Sequence, residues 1–596
     1  MVPQQPSRKR ARERRPHAIK QPGSIETVPA AAIELLETSP RRDVIVLLLV
    51  TLALLVPFAG KAVHIDDPLF LWAAEHIETH PLDFYGFSVN WYYTSQPMWE
   101  TTKNPPLACY YLAAVARLTG WSEVPLHLAM LLPTLAAVLG AYAVATRFCR
   151  AALLATFIFL ATPAMLVSAT TLMCDVMMLA FWCWAIFFWT RGIDQWRQRD
   201  LAVAALLAAL APLTKYFAVS LLPLMVVYAW AARGKARQWL PWLLPPLVML
   251  IAYNAATASM YGRGLLLEAI NYATEFSSSN QQGGHLNPID KGLMGLVFTG
   301  GCLATAGLVM LPLWTRRAWF VSLMLLALPA VAMLNTGQLA GFSIRADGQL
   351  RWGFVLQALL LVLVGGQLFA VAIGDLARSR SAASLLLVLW MLGTFVFAAF
   401  INWSVNARSL LPAAPVAALL VVRWLESTRS SAIRGPRMWT AVPLAVGLAI
   451  ALAVAGADLR MANATRQATV QLAEQYGAER DHLWSRGHWG FQYYMEREGF
   501  RTLDFARDHI KAGDLLVVGT NQDADRFPES TVTQEKTLNF PSGRWVATMC
   551  KQKGAGFYSD QFGPLPFYFG LVPAEQFVVS RARRSINFNV LEPKKP

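Results

Sequence analysis

The chain has 596 residues, of which 55% are hydrophobic and 15% charged, with a mean hydropathy of +0.38. A water-soluble chain of this size does not carry so much apolar material, so the composition excludes a soluble enzyme and indicates a polytopic membrane protein. The net charge of +15 does not point to a nucleic-acid partner, because the basic residues are scattered in short turns between apolar runs, where membrane topology accounts for them.

Residues 1–43 read as a basic, disordered cytoplasmic tail. Their dense run SRKRARERRPHAIK suits an anionic lipid surface, and no small-x-small site closes the following apolar run as a signal peptide would require. About thirteen apolar runs then follow, and continuous runs approaching 20 residues are read as spanning helices rather than barrel strands. They lie at 44–60, 124–146, 151–170, 175–190, 201–214, 216–232, 239–258, 292–314, 318–334, 352–373, 382–401, 409–424 and 439–457. The fifth and sixth are short and could be a broken pair. With the N-terminus inside, nearly every inner turn carries at least two Arg or Lys, as at Arg147 and Arg150 or Arg316 and Arg317, while the longer outer segments collect acids. An odd number of spans places the C-terminal region outside.

The first outer loop, 61–123, holds the densest chemistry. Asp66 and Asp67 form an acidic pair in KAVHIDDPLF, six residues past the first span. After them, LFLWAAEHIE sets Leu69, Trp72, Ala73 and Ile77 on one helical face, the pattern of a helix lying flat in the interface. A second such helix opens at Pro105 and Pro106, directly after Lys103 and Asn104. Asp followed by Pro is also an ordinary helix opening, so capping is a rival reading of the acidic pair.

Farther along, Asp175 opens a span in ATTLMCDVMML, where it either caps the helix or is used. Lys215 interrupts an apolar stretch in APLTKYFAVS and either snorkels or meets a buried anion. Arg408, at a span entrance in NWSVNARSLLPAAP, has a planar guanidinium suited to phosphate. His285 reads as a solvated loop histidine or a metal ligand. The six cysteines show no disulfide framework or zinc spacing. Beyond Asp458 the long apolar runs stop, so 458–596 read as a small soluble domain of α/β or α+β type.

The segment 44–232 resembles the GT-C class of membrane glycosyltransferases, in particular the broad family of protein O-mannosyltransferases and lipid A aminoarabinose transferases. The resemblance rests on IDDPLFLWAAE, KNPPLACYYLAAV, SATTLMCDVMMLAFW and LAPLTKYFAVSLLPL, with ARSLLPAAP similar to the family's later Arg-Tyr-Leu-Leu-Pro element. Asp67 stands where the family's second acid is usually glutamate, and Ser409 replaces the tyrosine after the arginine.

The resemblance implies an all-α polytopic membrane protein with a GT-C-like domain over 44–457, interfacial helices in its first outer loop and an extracytoplasmic C-terminal domain. It implies a polyprenyl-phosphate sugar donor used on the outer face, with a lipid, glycan or protein hydroxyl as acceptor, in a bacterial inner membrane. An acceptor hydroxyl needs a carboxylate to take its proton as it attacks the anomeric carbon; Asp66 is the first choice, with Asp67 and Asp175 as helpers. The phosphate leaving group needs cations rather than an acid, which Lys103, Lys215 and Arg408 supply. Asp67 or Asp175 could also hold a divalent cation, Mg or Mn. A secondary transporter or lipid flippase of envelope intermediates is the alternative; it predicts ionisable residues inside the spans.

Overall fold

The computed structural model describes residues 40–278, 286–428, 438–521, 527–541 and 543–588. It divides into two compact units, Met1–Val46 and Leu47–Pro596. Of the first, the described part is the opening of helix Pro40–Leu55; most of the basic tail, and His285, lie outside the described residues.

Among the described residues, eight helices are long and apolar enough to cross a membrane: Glu123–Phe148, Asp175–Gln195, Tyr216–Arg233, Ala236–Tyr261, Arg316–Thr336, Trp352–Ser379, Ala382–Ile401 and Trp439–His482. A ninth is formed if Pro288–Cys302 and Ala304–Met310, which meet at 77°, are one broken span. Several of the predicted runs fall outside this set because their helices are short or interrupted. Helices Pro40–Leu55 and Ala413–Thr428 have 16 residues and Gln198–Thr214 has 17, so at 1.5 Å per residue each reaches only about 25 Å. The run 151–170 is interrupted: Ala152–Leu160 ends, and Thr162 caps a new helix, Pro163–Ser168, by accepting from the Met165 amide. The fifth and sixth runs separate at one extended residue, Lys215 (φ −153°, ψ 127°).

The spanning helices differ in what they face. In Arg316–Thr336, Leu323, Leu325, Leu328 and Val331 are exposed, as a lipid-facing helix requires. Helices Pro288–Cys302 and Trp352–Ser379 instead meet backbone to backbone. A Cβ on Gly300 would lie 1.9 Å from the Leu361 carbonyl oxygen, and one on Gly365 would lie 2.3 Å from that of Leu296. Only glycine permits this approach.

In the first loop, helices Asp67–Thr79 and Leu107–Thr119 pack on each other, with a short hairpin, Ser88–Asn90 and Ser95–Pro97, between them in sequence. At the other end of the chain, no linker marks residue 458. Helix Met438–Tyr476 runs through it for 39 residues, because the helix is apolar at its start and amphipathic at its end. Ala468 and Leu472 of its last turns join Leu483, Phe491, Met495, Leu515, Val517, Phe577 and Val579 in one core. That core lies against a five-stranded mixed sheet in the order Val532–Phe540, Glu575–Ala582, Leu515–Gly519, Leu483–Arg486, Arg501–Thr502. Leu515–Gly519 pairs antiparallel with Glu575–Ala582 and parallel with Leu483–Arg486.

Candidate active site

Asp66 stands at the N-terminus of helix Asp67–Thr79, with Pro68 in its first turn, yet its side chain makes no capping bond. Its Oδ2 accepts instead from Arg408 Nη2 at 2.6 Å. Arg408 comes from a different part of the chain, the short helix Ala407–Leu410, whose start is fixed by the Asn406 side chain accepting from the Ser409 amide at 2.9 Å. The Arg408 and Asp66 side chains are 13% and 27% exposed, so the pair lies at the edge of the protein interior and not within it. Burial works against the Arg408 charge, but the carboxylates of Asp66 and then Asp175 outweigh it and raise its pKa.

Asp175 is the first residue of helix Asp175–Gln195 and is almost wholly buried. Its Oδ1 accepts from Lys215 Nζ. Lys215 is the single extended residue between two helices, which lets its side chain reach across to this carboxylate. Asp175 Oδ2 is buried with no hydrogen-bond partner among the described residues. Asp66, Arg408, Asp175 and Lys215 are therefore one cluster of alternating charge, assembled from four separate segments.

Lys103 lies in the first loop, before helix Leu107–Thr119. Its Nζ donates to the Glu100 carbonyl at 2.7 Å and lies 5.1 Å from the centre of the Tyr272 ring. Burial lowers its pKa, with Glu268 and Glu100 pulling the other way. Tyr272 shares a hydrogen bond with Tyr92, which in turn is close enough to Asp66 to feel its charge. The neighbouring Asn104 Oδ1 accepts from Cys174 Sγ, the residue before Asp175, at 3.8 Å.

Asp67 is placed differently from its neighbour. It is fully buried, and both oxygens are taken by backbone amides, Oδ2 by His64 at 3.0 Å and Oδ1 by Leu172 at 2.8 Å. Burial pushes its carboxyl up to about 7, against the pull of Lys61 and the two amides. It ties the first loop to the turn before Asp175 and does not face the charge cluster with a free oxygen.

Among the described residues, no three His, Cys, Asp or Glu side chains come together as a metal-binding group. Asp66 pairs with Arg408 and Asp175 with Lys215, while both Asp67 oxygens accept from backbone amides. Sequence reasoning missed one further group: Lys61 and Asp458, both fully buried, pair at 2.6 Å, with His64 and Tyr558 against them. An acid within the apolar run AIALAVAGADLRMA was the available signal.

Residues 103–256 match the family model described as dolichyl-phosphate-mannose-protein mannosyltransferase. Two solved structures are similar over most of the chain. ArnT from Cupriavidus metallidurans, bound to undecaprenyl phosphate, is 15% identical at a TM-score of 0.44, covering 81% of this chain and 94% of its own. The Archaeoglobus fulgidus oligosaccharyltransferase, tethered with an acceptor peptide, is 11% identical at a TM-score of 0.44, covering 77% and 63%. No curated protein sequence matches. The matched segment, about a quarter of the chain, includes Lys103, Asp175 and Lys215, and over it the chain is similar to a family of membrane glycosyltransferases.

Proposed function

We propose that the protein transfers a sugar from a polyprenyl-phosphate donor to an acceptor hydroxyl, with inversion, on the outer face of the membrane. The observation that carries this reading is the contact between the Asp66 carboxylate and the Arg408 guanidinium, in one cluster with Asp175 and Lys215. A base and a phosphate-binding cation are needed side by side for such a transfer, and here they touch. The family match, whose description names a dolichyl-phosphate sugar, supports the donor class. The placement of basic residues in the opposite turns supports the outer face and a cytoplasmic N-terminus, and a bacterial inner membrane suits them.

The steps follow from the charges. An arriving donor phosphate competes for Arg408 and draws it from Asp66. Asp66 Oδ2 is then free to accept the acceptor's proton as its oxygen attacks the anomeric carbon. The bond to the phosphate oxygen breaks in the same displacement, and Arg408, Lys215 and Lys103 take up the charge that develops there. Attack opposite the leaving group inverts the anomeric centre. Asp175 orients Lys215, and Asp67 fixes the loop from which Asp66 projects. The acceptor is a lipid, glycan or protein hydroxyl.

The test is purified protein in lipid nanodiscs with radiolabelled polyprenyl-phosphate sugars and hydroxyl acceptors. Label moving to the acceptor with inverted anomeric configuration supports the proposal, and retained configuration defeats the single displacement. If no donor is consumed but liposome-reconstituted protein moves it across the bilayer unchanged, the chain is a flippase in practice.

A further inference from the structure

The segment that delivers Asp66 is held at almost every residue. Lys61 Nζ donates to Asp458 Oδ2 at 2.6 Å and to Thr170 Oγ1 at 3.2 Å. Asp458 also accepts from the Tyr558 hydroxyl at 2.8 Å and the Thr548 hydroxyl at 3.1 Å, and His64 Nε2 lies 3.5 Å from it. The Ala62 amide donates to Asn463 Oδ1 at 3.0 Å, and the Val63 amide to the Tyr494 hydroxyl at 2.7 Å. Gly490 lies so close that a Cβ there would be 2.0 Å from the Val63 carbonyl oxygen.

All this fixing precedes a strained turn. Ile65, 2% exposed, has a φ of +48°, a left-handed backbone that a β-branched residue adopts only when its surroundings impose it. The next residue is Asp66. Tyr558 joins the two ends of this arrangement: its hydroxyl is on Asp458, and its ring lies 5.8 Å from the Arg408 guanidinium carbon. One side chain thus touches both the anchor of the segment and the cationic partner of the base.

Resting on the glycosyl-transfer reading, we propose that Lys61, Asp458 and Tyr558 are positioning residues. Their buried network, braced by the C-terminal part of the chain through Asn463, Tyr494 and Gly490, holds segment 61–67 in the strained turn that aims Asp66. The C-terminal region is accordingly a part of the catalytic apparatus. A purely structural ion pair would explain the burial of Lys61 and Asp458 but gives no reason for a left-handed isoleucine beside the base.

Three variants in nanodiscs test this: Asp458→Asn, Tyr558→Phe and Gly490→Ala. Tyr558→Phe keeps the ion pair and the ring under Arg408 while removing one hydroxyl, so it folds even if Asp458→Asn does not. Displacing a catalytic group by about 1 Å costs on the order of 100-fold. Asp458→Asn and Gly490→Ala are therefore expected to lower kcat per folded enzyme about 100-fold, and Tyr558→Phe about 10-fold, with the donor KM unchanged. Hydrogen exchange at the amides of 61–67 is expected to quicken in all three, with the spanning helices unaltered. A merely structural role would lower thermal stability and leave kcat per folded enzyme intact, and that result overturns the proposal. Unchanged exchange over 61–67 in Tyr558→Phe and Gly490→Ala overturns it too, without any substrate. A wild-type protein that transfers no sugar defeats the proposed reaction instead, and the exchange result still decides the positioning role.

Discussion

Replacing Asp66 with asparagine separates the two parts this residue plays. Asparagine is nearly isosteric and can keep a contact with Arg408, but it cannot take a proton at neutral pH. A positioned general base contributes about 10²- to 10⁴-fold, so kcat should fall by that factor, equivalent to about 3–5 kcal/mol in the barrier. Donor binding should move the other way. At the observed 2.6 Å separation, two unit charges attract by about 6 kcal/mol at an effective dielectric constant of about 20. Solvent at these part-exposed side chains removes most of that. The remainder must be surrendered when a phosphate takes Arg408, and in Asp66→Asn it is already gone. The donor KM should therefore stay level or fall while kcat drops. Initial rates over a range of donor concentration in nanodiscs measure both, with Asp66→Glu as a charge-retaining control. Asp66→Asn with a kcat within about twofold of wild type would refute the base assignment; a raised donor KM at intact kcat would make Asp66 a binding residue.

Lys215→Met should lose transfer and stability together, because it leaves Asp175 buried without its cation, a change that costs about 3–5 kcal/mol. The double variant Lys215→Met with Asp175→Asn should recover the melting midpoint but not the activity; recovery of both would remove Lys215 from the site. Lys103→Ala should raise the donor KM several-fold with little change in kcat or stability, as read from the same rate curves. For Asp67 the prediction concerns pH. Its folded pKa of about 7 lies above the unfolded value of about 4, so between these pH values the folded state binds more protons than the unfolded one. Its contribution to stability is present below pH 4 and is lost as pH rises to 7. In Asp67→Asn, thermal melting followed from pH 4 to 7 should lack this downward slope and start from a lower midpoint, since asparagine cannot accept both the His64 and Leu172 amides. A slope equal to that of wild type would show that another group titrates.

The local text of the chain carried the long apolar helices, the two short helices of the first loop and the charged residues at helix ends, because each is a matter of periodicity or of a single costly residue. Asp66, Asp175, Lys215 and Arg408 could be chosen one by one for that reason, and the structure pairs Asp66 with Arg408 and Asp175 with Lys215. Their partners could not be read. Nothing near Asp66 in sequence names Arg408, which is 342 residues away. Asp67 reads as a helper to Asp66, but adjacent residues share a composition and not a direction; a helix start turns one carboxylate toward Arg408 and the other into backbone amides. The sequence does not single out Lys61, and Asp458 reads as the point where the long apolar runs stop. Helix Met438–Tyr476 runs across that point without a break as it changes from apolar to amphipathic character.

The distance between Lys61 and Asp458 along the chain, 397 residues, has a bearing on how the protein is made. At roughly 5–20 residues per second, about 20–80 s separate the synthesis of the two. Throughout that interval Lys61 lacks the carboxylate against which it is buried, and an ammonium without that partner is costly to bury. On the proposed positioning role, the turn at Ile65 is braced only once residue 458 has been made, and a product broken off before it carries Asp66 without the anchor that aims it.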